Sequence, residues 1–350
     1  MSTVQRDMSL TGQPPKSLNG LQKVATVLGL SGLMIIILAG FNVNFPNKGL
    51  WLTLSLLALT AGIILFAKAA YANTQEGIKN NGVWFKSISS RGFWAWIAGL
   101  SLTGFYIILY FFPQFLGLRS EGTNTGIIAL FDPLSRLLSG NPASQWFVYG
   151  TLYTVAIFAF GIKFIWKYRH NRYEKLRTIS VMFFQTAFAF LIPEFMARLN
   201  SESFNLPYYD LKNIWPLNYY NFEQYRVDSF ISSGDVGLTL LIFGVISIFV
   251  ITPILTYKYG KRWYCSWVCG CGGLAETAGD SFRHLRNKSQ FAWKVERWVI
   301  HSVLVFVIVM TTAVISTYLG YDSEKYWLTK DVFLIGVAVF LAVLCAVIWY

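Results

Sequence analysis

Eight apolar runs, each close to twenty residues long, leave this 350-residue chain few ways to fold. They lie at about 24–43, 50–70, 93–115, 145–166, 178–197, 236–257, 298–318 and 332–350. A helix needs roughly 20 apolar residues to cross a bilayer, whereas a strand of a membrane barrel needs only ~9–11 that alternate. Helices also satisfy every backbone N–H and C=O internally, as lipid requires. The fold class read from the sequence is therefore an all-α membrane protein with about eight transmembrane helices. Composition agrees, since only 13% of the residues are charged, about half the share usual in soluble domains. The first run is not a secretory signal, because its apolar stretch is too long and no A-x-A-like site follows it.

Basic residues in short loops mark the cytoplasmic side. With the N-terminus inside, the tail up to Lys23 and the segments 68–92, 163–177 and 258–297 hold 21 of the 29 Lys and Arg residues. The alternation holds through all eight runs and places both termini in the cytoplasm. The chain then divides into a polar tail (1–23), a six-helix membrane region (24–257), a cytoplasmic loop (258–297) and two further membrane helices (298–350). The net charge of +12 is mostly this topological signal. It forms no soluble basic face of the kind that would bind nucleic acid, so membrane lipid is the expected surrounding.

Three of the four cysteines fall in one stretch, KRWYCSWVCGCGGLAET at 261–277. Cys265, Cys269 and Cys271 have the spacing C-x3-C-x-C, just past the sixth run and at the expected cytoplasmic surface. Cytosolic thiols stay reduced, so a metal or redox role is favoured over a disulfide. Thiolates hold zinc, copper(I) or iron–sulfur clusters. Zinc usually takes a second Cys or His pair, and His284 and His301 are single and far apart in sequence. A copper(I) site of two or three thiolates stays open, and so does a bland role as small buried side chains. A cubane cluster needs four thiolates with glycines and N–H groups around its sulfurs. Gly270, Gly272 and Gly273 meet that need, Trp267 with Trp263 and Tyr264 gives an apolar wall, and Lys261 and Arg262 offset the cluster's negative charge.

The run G-K-R-W-Y-C-S-W-V-C-G resembles the G-R-x-x-C-G-W-x-C-P signature of the membrane-bound 4Fe-4S proteins. That group includes the quinol-dehydrogenase membrane subunit of periplasmic nitrate reductase, the nitrous-oxide reductase regulatory membrane protein and the cytochrome oxidase assembly polyferredoxin. Cys265 and Cys269 match its two motif cysteines, with Gly260, Arg262 and Trp267 at its flanks. The resemblance implies a multi-pass protein of the bacterial cytoplasmic (inner) membrane that carries electrons. Its expected partners are redox proteins, such as a ferredoxin-like domain or a further subunit, or the quinone pool. It would be a redox component rather than a stand-alone enzyme. Gly270 stands where the signature has proline, Cys271 is an addition, and a second C-x3-C-P motif is missing. The competing class is a membrane copper or zinc handling protein using the same cysteines.

Cys345, 13 residues into the eighth run, is the candidate fourth ligand. The closing stretch LAVLCAVIWY carries no charge, so the expectation is a longer protein whose tail adds ligands. Glu194, beside Pro193 in the outer part of the fifth run, is the candidate catalytic residue, a base for proton release from a quinol. Its ordinary alternative is an i,i+4 pair with Arg198. The stretch ALFDPLSRLLSG at 129–140 reads as an amphipathic helix on the outer surface, and Gln185 and Thr186 imply a face packed on protein.

Overall fold

The computed structural model describes residues 18–72, 93–119, 123–200, 224–260, 262–280 and 289–318, with isolated positions between 335 and 343. Among these residues the regular structure is helical and no strand occurs. The helices are α1 (Gly20–Gly40), α2 (Lys48–Tyr71), α3 (Phe93–Phe111), α4 (Gly126–Leu138), α5 (Gln145–Lys167), α6 (Arg172–Leu199), α7 (Gln224–Ser232), α8 (Gly234–Tyr259), α9 (Trp263–Trp267), α10 (Gly270–Thr277) and α11 (Gln290–Tyr318). Five of them, α1, α2, α5, α6 and α8, are long and apolar enough to cross a membrane. In α3 the apolar stretch is shorter, Gly99–Phe111. The run 298–318 lies within α11, and the run 332–350 falls almost wholly outside the described residues.

Two compact units are present, Met1–Leu217 with Ser232–Leu285, and Asn218–Ile231 with Arg286–Tyr350. The second holds α11, where the Arg297 guanidinium stacks over Trp293 at 4.8 Å. The first holds Cys265, Cys269 and Cys271.

In the first unit α1 and α2 pair through small residues. A Cβ on Gly62 would fall 2.7 Å from the Gly29 nitrogen, and the Ser55 hydroxyl donates to the Gly32 carbonyl at 2.7 Å. Such close backbones are how helices associate where lipid removes the hydrophobic drive. Large apolar side chains turn outward instead, among them Val27, Leu57, Leu238 and Phe249. An apolar exterior of this extent suits lipid rather than water.

Helix α6 begins at Arg172, six residues before the apolar run it contains, because Asn171 caps it. The Asn171 side chain accepts from the amides of Tyr173 and Glu174, which fills two of the free N–H groups of the first turn. Two membrane-length helices carry π-helical turns, at Phe184–Leu191 and Ser247–Ile251.

Helix α4 differs from the surface helix expected at 129–140. Ile127, Ile128, Ala129, Leu130 and Phe131 are all buried, and all but Ala129 share one core with Ile36, Leu52, Leu109, Phe147 and Phe190. The reason is Asp132, which accepts from the Asn124 amide and the Ala143 N–H, both at 2.8 Å. With its carboxylate satisfied by its own flanks, the segment buries its apolar residues instead of lying on the surface.

Candidate metal centre

The cysteines lie on two short helices. Cys265 is in α9, and Cys269 is the N-cap residue of α10, with extended φ −71° and ψ 126°. At that position its side chain makes no capping hydrogen bond. Cys265 and Cys271 are exposed and Cys269 is half-buried, all as free thiols. Among the described residues no three His, Cys, Asp or Glu side chains gather around one point as a single ion would need.

Helix α10 is seated between α5 and α6. Along α6, Arg177 pairs with Glu276 at 2.7 Å, Val181 meets Gly273, and Gln185 donates to the Val268 carbonyl at 2.9 Å. Ser180 adds a bond to the Trp267 carbonyl at 2.8 Å. Along α5, Tyr153 meets Cys271, Lys163 reaches the Thr277 carbonyl at 3.5 Å, and Lys167 forms a buried ion pair with Asp280. Tyr168 also donates to Asp280, at 2.9 Å. Gln185 thus packs on protein, as read from the sequence.

The register along α5 and α6 sets where the cysteines stand relative to the helix ends. Tyr153 stands fourteen residues before Lys167, about 21 Å along the helix at 1.5 Å per residue. Cys269 and Cys271 therefore lie beside the mid-length of α5 and α6, while the ion pair at Asp280 marks the helix ends. After α8 the chain turns at Gly260, at φ +83°, and re-enters between the two helices.

The glycines have a second duty here. A Cβ on Gly270 would fall 2.4 Å from the Gln185 Oε1 and 2.7 Å from the Tyr153 Cε1, and one on Gly273 would fall 2.3 Å from the Val181 Cγ1. Their missing side chains let α10 press against protein. Trp267 packs edge-on against Tyr173 with ring centroids 5.7 Å apart, and Arg262 is exposed. Lys261 and Cys345 lie outside the described residues.

Glu194 is not brought to the cysteines. It lies nine residues beyond Gln185 on α6, about 13 Å further along. It is buried in a pocket of about 420 Å³ that also holds Ser135, Ser139, Asn141, Ser144 and Asn200. Arg198, four residues on, donates to the Leu137 carbonyl.

Tyr153 was missed by sequence reasoning. Its hydroxyl donates to the Cys271 sulfur at 3.5 Å. The signal that could have found it is the spacing of Tyr149 and Tyr153 in an otherwise apolar helix, since a hydroxyl in such a helix calls for a partner.

The donors fit an iron–sulfur cluster. They are soft thiolates, and one of them, Cys269, sits at a helix N-terminus, where the free amides of the first turn suit a cluster ligand. The family described as 4Fe-4S binding domain matches residues 241–289, from the middle of α8 past the end of α10. That range contains Cys265, Cys269 and Cys271. No curated protein and no solved structure matches the chain. The matched segment makes this an iron–sulfur protein, with a cluster of the 4Fe–4S type as its cofactor.

Proposed function

We propose that the chain is an electron-transfer component of the bacterial cytoplasmic membrane, with its cluster held by Cys265, Cys269 and Cys271. The observation that carries this reading is the coincidence of the matched 4Fe-4S segment with a thiol pair packed into the middle of a membrane-length helix pair. In this reading the chain crosses the membrane eight times with both termini in the cytoplasm, and the Lys167 and Arg172 ends of α5 and α6 face inward. The thiols are then set within the depth of the membrane. The fourth ligand comes from Cys345 or from a partner, and a redox protein or a quinone exchanges electrons with the site.

A cluster of this class supplies one-electron chemistry and makes no new bond in a substrate. The chain's own residues supply the setting. Glu276 and Asp280 anchor the far end of α10 through Arg177 and Lys167. Gln185 fixes the near end at Val268, and α5 and α6 shield that side of the cysteines from water. A copper or zinc carrier is disfavoured, because the matched family is described as one that binds 4Fe-4S clusters.

The test is anaerobic purification of the full-length protein in detergent, with iron and acid-labile sulfide assays and EPR before and after dithionite. About four irons and four sulfides per chain, with a new signal on reduction, are expected. Copper or zinc in place of iron would overturn the proposal.

A further inference from the structure

Tyr153 belongs to no cysteine motif, yet its hydroxyl meets the sulfur of Cys271 at 3.5 Å. Its ring has little freedom to leave. Tyr149 stacks on it with centroids 5.4 Å apart and planes 26° from parallel. On its other flank Gly270 lies so close that a Cβ there would come 2.7 Å from the Tyr153 Cε1. Tyr149 is itself met edge-on by Tyr106 at 6.0 Å, and Tyr106 stacks with Tyr110 at 5.5 Å. The hydroxyl at the end of this row is therefore a fixed donor, aimed at one sulfur.

We propose that Tyr153 is a positioning residue that sets the reduction potential of the cluster through its hydrogen bond to Cys271. The inference rests on Cys271 being a ligand, as in the reading above. Reduction adds an electron to a centre that its thiolates already make negative. A donor on a ligand sulfur stabilises that added charge, so it raises the potential. The bond is exposed on the protein surface, and in the membrane reading above lipid rather than water surrounds it, so the low local dielectric strengthens it. A purely packing role would be met equally well by phenylalanine, which keeps the ring and its stack on Tyr149.

The experiment is an EPR-monitored redox titration of the full chain, wild type against Tyr153→Phe and Tyr149→Phe. The expected result is unchanged iron and sulfide in all three, a midpoint moved to more negative potential in Tyr153→Phe, and no movement in Tyr149→Phe. An unmoved midpoint in Tyr153→Phe, or an equal shift in Tyr149→Phe, would overturn the proposal. Loss of iron from Tyr153→Phe would overturn it too, because the hydroxyl would then be holding the site together rather than tuning it. A wild type without iron would defeat the reading of the site and this inference with it. A loaded wild type with an unmoved variant defeats the inference alone.

Discussion

A Cβ added to Gly272 would fall 1.9 Å from the carbonyl oxygen of Cys265. The obstacle is backbone, which cannot swing aside as a side chain would. The contact holds α9 against the first turn of α10, and with it the spacing of the three cysteines. Gly272→Ala is expected to lose most of the bound iron while the protein still inserts and keeps its helical signal. Gly279, whose nearest atom would be the Leu274 carbonyl oxygen at 3.8 Å, serves as the control, and Gly279→Ala should keep its iron. Equal iron in the two variants would show that the turn between α9 and α10 does not set the site.

The ligand assignment is open to a direct comparison. Serine offers a hard oxygen in place of a soft sulfur, and a cubane missing one thiolate is poorly held. Cys265→Ser, Cys269→Ser and Cys271→Ser are each expected to lower iron per chain several-fold, read by metal analysis and by loss of the reduced-state EPR signal. Full iron in Cys265→Ser would remove that exposed residue from the ligand set and leave the Cys269–Cys271 pair.

The pair Lys167–Asp280 fastens the far end of α10, with both side chains almost fully buried. Removing one partner of a buried ion pair typically costs about 3–5 kcal/mol, because the other charge is left in a low dielectric. Lys167→Met should lower stability in detergent by that amount, measured by denaturant unfolding. The double variant Lys167→Met/Asp280→Leu should recover only part of the loss, since the Asp280 charge is no longer stranded but the buried Lys163 loses it as a counter-charge. A loss below ~1 kcal/mol in the single variant would match an exposed pair and would contradict the burial seen here.

Much of the helical frame was legible in the sequence, since length and hydropathy are properties of contiguous residues. The runs at 50–70 and 145–166 became α2 and α5 with ends shifted by a residue or two. The first six helical residues of α6, RYEKLR, look like loop in the sequence because they are polar. Helix is kept there by the Asn171 cap and the Glu174–Arg177 pair at 2.6 Å. The C-x3-C-x-C stretch was visible as chemistry, but its register along α5 and α6 was not. Hydropathy places it after α8 and therefore past a helix end, whereas the contacts that draw it back come from residues 83 to 118 positions away, Gln185 and Tyr153. In the same way, Asp132 made 129–140 look like a surface helix, because its partners Asn124 and Ala143 meet it only in the folded chain.

Thiol exposure gives a test of the site in the absence of metal. Cys265 and Cys271 are exposed and Cys269 is half-buried, next to the seat of Gly270 against Gln185 and Tyr153. Alkylation proceeds through an accessible thiolate. In the metal-free protein, peptide-resolved labelling should be several-fold slower at Cys269 than at Cys265. Ligation requires the thiol protons to leave, so iron uptake should release protons and weaken as the pH falls. Equal labelling rates at Cys269 and Cys265 in the metal-free protein would contradict the half-buried seat of Cys269.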